Sequence, residues 1–100
     1  MNLTIEERDG NLVAVFDGRL DTLAASEIEQ EIHKLDDCEG HNIMLDCTAM
    51  DYISSSGLRL FLSILKNAKA KGSRVIITGC NDSLHQIFTM TGFIKLFEFK

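Results

Sequence analysis

One hundred residues at net charge −5, with 45% hydrophobic and 25% charged side chains, describe one ordinary globular domain over 1–100 and exclude disorder and low complexity. No apolar stretch approaches the roughly 20 residues of a membrane span, and Met1-Asn2-Leu3-Thr4 lacks a signal peptide's basic start, so a cytoplasmic protein with no direct membrane insertion is expected. Charge is uneven: residues 1–50 hold three Lys/Arg against twelve Asp/Glu, residues 51–100 seven against three, and without a clustered basic face no nucleic-acid partner is expected.

Leu3 to Arg8 alternates apolar and polar residues, whereas Asn11 to Phe16 is almost continuously apolar. The intervening Asp9-Gly10 suits a tight primed turn, which predicts an antiparallel hairpin of an edge strand on a central one. Asp21 or Thr22 caps the next segment, a helix with Ala25, Ile28, Ile32 and Leu35 on one side and Glu27, Glu29 and Glu31 on the other. Ile43-Met44-Leu45 predicts a short buried strand ending at Asp46, then a polar loop through Ser54-Ser55-Ser56-Gly57. A second helix follows with Leu58, Phe61, Leu62, Leu65 and Ala68 as its stripe, closed by Gly72. Val75-Ile76-Ile77 predicts a strand, and Asn81 or Asp82 starts a third helix carrying Leu84, Ile87 and Phe88. Phe93 to Phe99 predicts the last strand. The order β-β-α-β-α-β-α-β gives an α/β class with right-handed crossovers and amphipathic helices packed on a mixed sheet.

Cys38, Cys47 and Cys80 form no Cys-x-x-Cys pair, and His33, His41 and His85 lack ligand spacing, so neither a disulfide framework nor a metal site is expected. The cysteines read as mostly buried thiols. The serine loop lacks the glycine and the placed base of a nucleophile elbow, and both phosphate-binding glycine patterns are missing, so no catalytic residue and no cofactor are assigned. By residue chemistry alone, one of the three serines is a helix cap, worth about 1 kcal/mol.

Three landmarks carry a resemblance. Gly18-Arg19-Leu20-Asp21 leads into the first helix; Met44-Leu45-Asp46 leads to Tyr52-Ile53-Ser54-Ser55-Ser56-Gly57-Leu58; Thr91-Gly92-Phe93 precedes Lys95-Leu96-Phe97. Together they resemble the STAS family, the domain shared by anti-sigma-factor antagonists and sulfate transporter tails. Its common loop is Asp-Ser-Ser/Thr/Ala-Gly-Leu with the phosphorylated residue two before the glycine, and the resemblance therefore implies Ser55 as phosphoacceptor. Ser54 departs from the pattern where an acidic residue often stands. The chain also stops at Lys100, where many members add a C-terminal helix, so one sheet face is expected to be less covered.

The resemblance implies a non-enzymatic switch. Unmodified, it docks on a GHKL-type anti-sigma-factor serine kinase; phosphorylation ends docking, and a PP2C-type phosphatase resets it. The implied docking surface comprises Asp21, Ser54, Ser55, Ser56, Gly57, Leu58 and Arg59, with Gly57 allowing close approach of the partner. Asp46 is expected to hold the loop by local hydrogen bonds, although ordinary capping and Asx-turn roles suit Asp21 and Asp46 equally well. The alternative is an accessory subunit of a phospholipid-exporting ABC transporter, gripping its ATPase without phosphorylation.

Overall fold

A computed structural model describes all residues, 1–100. Strands β1 (Asn2–Arg8) and β2 (Asn11–Leu20) form the expected hairpin, with Arg8 opposite Asn11 and a two-residue Asp9-Gly10 turn at φ 51° and 80°. Both turn residues occupy the left-handed region, as a primed turn matched to strand twist requires. The remaining elements are α1 (Thr22–Ile32), β3 (Ile43–Ile53), α2 (Ser55–Ala70), β4 (Val75–Thr78), α3 (Asp82–Met90) and β5 (Glu98–Phe99). The five strands lie side by side in chain order, β1 antiparallel to β2 and the rest parallel.

Chain-order parallel strands joined by right-handed crossovers put every crossover helix on the same face of the sheet. The side chains agree. Ala14 and Phe16 of β2, Leu45 and Cys47 of β3 and Ile77 of β4 share one core with Ile28 of α1, Phe61 of α2 and Phe88 of α3. Val13, Met44 and Ile76 stand in register across the sheet, and buried Val13 and Ile76 lie outside that core, so this row turns to the other face.

Each helix begins with the same device. Asp21 Oδ1 accepts from Ala24 N–H at 2.8 Å, Ser54 Oγ from Gly57 N–H at 3.2 Å and Asn81 Oδ1 from Leu84 N–H at 2.8 Å, each satisfying one of the orphan amides of a helix start. Of the alternative caps, Asp21 and Asn81 are the ones used.

Two expectations are corrected. The loop expected after Asp46 is strand: β3 runs eleven residues to Ile53, and its pairing with β2 slips by one residue between Asp46 and Ala49 and again between Met50 and Tyr52. These bulges break the alternation that marks a strand, so the inward residues step Ile43, Leu45, Cys47, Met50, Ile53. The strand expected from Phe93 to Phe99 is mostly helical turn. Phe93–Lys95 is a short 3-10 helix that brings Phe93 and Phe97 together at 5.7 Å between ring centroids, and only Glu98–Phe99 pairs with β4.

Candidate functional site

The parallel strands end on one rim of the sheet, and the serine cluster stands there. Leu20 pairs with Ile53, and Ser54 N–H donates to Leu20 O at 2.8 Å, so the β2–α1 junction at Asp21 lies beside the β3–α2 junction at Ser54 and Ser55. The fold thus brings together Asp21 and the serine loop across more than thirty residues of chain.

The three serines have different environments. Ser54 is 8% exposed and committed to its cap. Ser56 accepts from the Arg59 guanidinium at 3.2 Å, one turn further along α2. Ser55 is exposed, and neither bond engages its hydroxyl. It is the first residue of α2, where backbone N–H groups and the helix dipole favour negative charge.

Three residues expected on the docking surface face inward instead: Ser54, held in its cap, Leu58 and Gly57. Leu58 is 9% exposed and belongs to the core, because one turn from the cap the apolar stripe of α2 meets the sheet. Gly57 serves packing rather than partner approach: a Cβ there would lie 2.7 Å from Leu20 Cγ and 2.8 Å from Ile53 Cγ1. The missing side chain lets α2 settle onto the ends of β2 and β3. Asp46 is also displaced from its expected role, since it lies within β3 and its Oδ1 accepts from Thr48 N–H at 3.0 Å. That bond holds the first bulge rather than the serine loop.

Three features of the rim escaped the sequence reading. A groove of about 350 Å³ separates α1 from α2, lined among others by Thr22, Ser26, Glu29, Ser56 and Arg59. It borders the serine cluster, and most of its lining residues are polar types. On the strand side, Arg19 and Tyr52 are register partners, and the guanidinium stacks 4.4 Å from the ring centroid. Leu23, on the first turn of α1, is 70% exposed. The signal for the groove was present as small polar residues on the facing turns of two helices, but only the tertiary pairing of α1 with α2 makes it a cleft.

The histidines are engaged elsewhere. His41 Nδ1 lies 2.7 Å from Gly10 O, His33 pairs with Asp36 at 2.9 Å, and the His85 ring stands edge-on to Phe99 at 6.3 Å. No group of three or more His, Cys, Asp or Glu side chains is placed to hold a metal ion, and no helix is long and apolar enough to cross a membrane.

Against this geometry, the family model for the STAS domain matches residues 2–100. The chain belongs to the STAS domain family. An anti-sigma-B factor antagonist from Listeria monocytogenes is 29% identical, the match covering 100% of this chain and 90% of the relative. One from Staphylococcus aureus is 28% identical, covering 92% and 87%. Among solved structures, the phosphorylated form of the Bacillus cell-fate determinant SpoIIAA superposes with TM-score 0.73 at 19% identity, over 99% of this STAS chain and 91% of that one. The expected α/β class, with helices on a mixed five-stranded sheet, is the fold of this family.

Proposed function

We propose that this STAS domain is an anti-sigma-factor antagonist, a binding protein whose docking on an anti-sigma factor is switched by phosphorylation of Ser55. The observation that carries the reading is the exposed, unengaged Ser55 hydroxyl on the first residue of α2, between a serine consumed as cap and a serine tied to arginine. Relatives that are anti-sigma-B factor antagonists support it over a transporter subunit.

The partner in this reading is a GHKL-type serine kinase that sequesters a sigma factor, and a PP2C-type phosphatase resets the switch. The docking surface is the rim: Asp21, Ser55, Ser56 and Arg59, with exposed Leu23 as its apolar contact. Ser54 supports this surface from beneath. Catalysis is not part of this reading: the relatives are anti-sigma-B factor antagonists, His41 and His33 are engaged with Gly10 and Asp36, and the His85 ring packs against Phe99.

A phosphate on Ser55 adds about −1.5 to −2 charges, which the helix start tolerates in the free domain. In a docked rim the same charge is desolvated and set against whatever the partner presents, and juxtaposed like charges cost several kcal/mol. Binding is lost without refolding.

The test is phosphopeptide mapping after incubation with ATP and the serine kinase from the same cells. Ser55 should take up phosphate stoichiometrically and Ser55→Ala none. Full phosphorylation of Ser55→Ala would remove the assignment.

A further inference from the structure

Two of the three cysteines meet at the end of the β3–β4 ladder. Paired residues run from Ile43 opposite Val75 to Asp46 opposite Thr78, so Cys47 is the next residue of β3 and Cys80 lies two beyond Thr78. Gly79 between them rests against β3 so closely that a Cβ on it would lie 3.0 Å from Thr48 Cα. Cys47 points into the core and is fully buried, whereas Cys80 is partly exposed and packs against the same core. The register sets the two thiols beside each other at this end of the ladder. Cys38 precedes β3 at its far end, buried, its carbonyl accepting from Ser73 Oγ at 3.0 Å.

We propose that Cys47 and Cys80 are a reversible thiol–disulfide pair responsive to hydroperoxides, with Cys80 the attacked thiol and Cys47 the resolving one. Partial exposure gives Cys80 access to a small oxidant that cannot reach Cys47. The neighbouring Cys47 thiol favours a Cys80 thiolate and holds Cys80 below the usual thiol range, while the same neighbour and burial push Cys47 well above it. The Cys80 thiolate attacks the peroxide oxygen, breaking the O–O bond; the sulfur is oxidised to sulfenic acid, and the leaving alkoxide or hydroxide takes a proton. The Cys80 charge that disfavoured ionisation of Cys47 is then gone. Cys47 loses its proton, attacks the sulfenic sulfur, and hydroxide leaves with that proton as water. A dithiol reductant returns both thiols, as suits a transient disulfide in a reducing compartment.

The bridge would fasten a junction that matters to the rim. Asn81, the next residue, caps α3, and its Nδ2 donates to Met50 O at 3.4 Å, tying this turn to the second half of β3. That half leads into the serine cluster.

The test treats the reduced full chain with stoichiometric hydrogen peroxide, blocks remaining thiols with an alkylating agent and maps the peptides. The account expects one Cys47–Cys80 disulfide, a mass loss of two hydrogen atoms, an alkylated Cys38, and full reversal by dithiothreitol. Cys47→Ser should stop at a Cys80 sulfenic acid captured by dimedone. Cys80→Ser, a milder change at a partly exposed position, should leave Cys47 reduced at the same dose. Thiols surviving peroxide, a bridge to Cys38 or to a second copy, sulfinic acid at Cys80 without a bond to Cys47, or oxidation of Cys47 in Cys80→Ser would overturn it.

Discussion

The first turn of α2 has two sides. Inward lie Ser54, Gly57 and Leu58, each buried and each occupied: a cap, a close approach to Leu20 and Ile53, and a core contact. Outward lie Ser55, Ser56 and Arg59, bound to one another by a single long hydrogen bond or not at all. The inward side fixes where the helix start sits, so the outward side can change charge without moving it. In the proposed switch, fixing and switching are thus divided between adjacent residues rather than shared by one.

Substitutions should separate the two sides. The largest effect is expected at Gly57: Gly57→Val forces atoms into Leu20 and Ile53, and overpacking of this kind costs about 1–3 kcal/mol. Urea denaturation should show a clear drop in midpoint, with docking lost in step; an unchanged midpoint would break the distinction. Next comes Ser54→Ala, which removes a buried cap and should cost about 1 kcal/mol. Ser55→Ala, measured beside it, should fall within about 0.5 kcal/mol of the parent, as exposed positions do. Equal losses for the two serines would mean that Ser55 also carries the fold.

Charge sharpens the comparison further. Ser55→Asp places a carboxylate at a helix start, where the dipole favours it, and stability should move by less than about 1 kcal/mol. Docking should nevertheless weaken, though less than with phosphoserine, whose charge is about twice as large. The smallest effect is expected for Arg59→Ala. Its guanidinium makes one exposed contact with Ser56, so the melting midpoint should stay within error of the parent.

Much of this arrangement is legible in the sequence, and the parts that are not have physical reasons. The hairpin reads directly because Asp9-Gly10 states its turn type, and the helix starts read because Asp21 and Asn81 precede apolar stripes at helical spacing. The second half of β3 does not read, since two bulges replace the period of two with steps of three. The last strand is overread because Phe93, Phe97 and Phe99 belong to one aromatic cluster reached mainly through a helical turn, and an apolar run does not reveal its own period.

The site follows the same rule. Family resemblance singles out Ser55 by its spacing from Gly57, but it does not say which neighbours face the core. Leu58 and Gly57 look like surface residues in a motif and are packing residues in the fold. Asp46 looks adjacent to the loop only if the strand ends there. The α1–α2 groove is a property of two helices meeting, and no single stretch contains it.

The most direct test of the proposed switch is titration calorimetry of the proposed partner, an anti-sigma-factor serine kinase, with the unmodified chain and with chain carrying phosphoserine at position 55. The account predicts tight binding by the unmodified form and a loss on the order of a hundredfold, about 3 kcal/mol, on phosphorylation, with the circular dichroism spectrum of the free domain unchanged. Equal affinity of the two forms would contradict it.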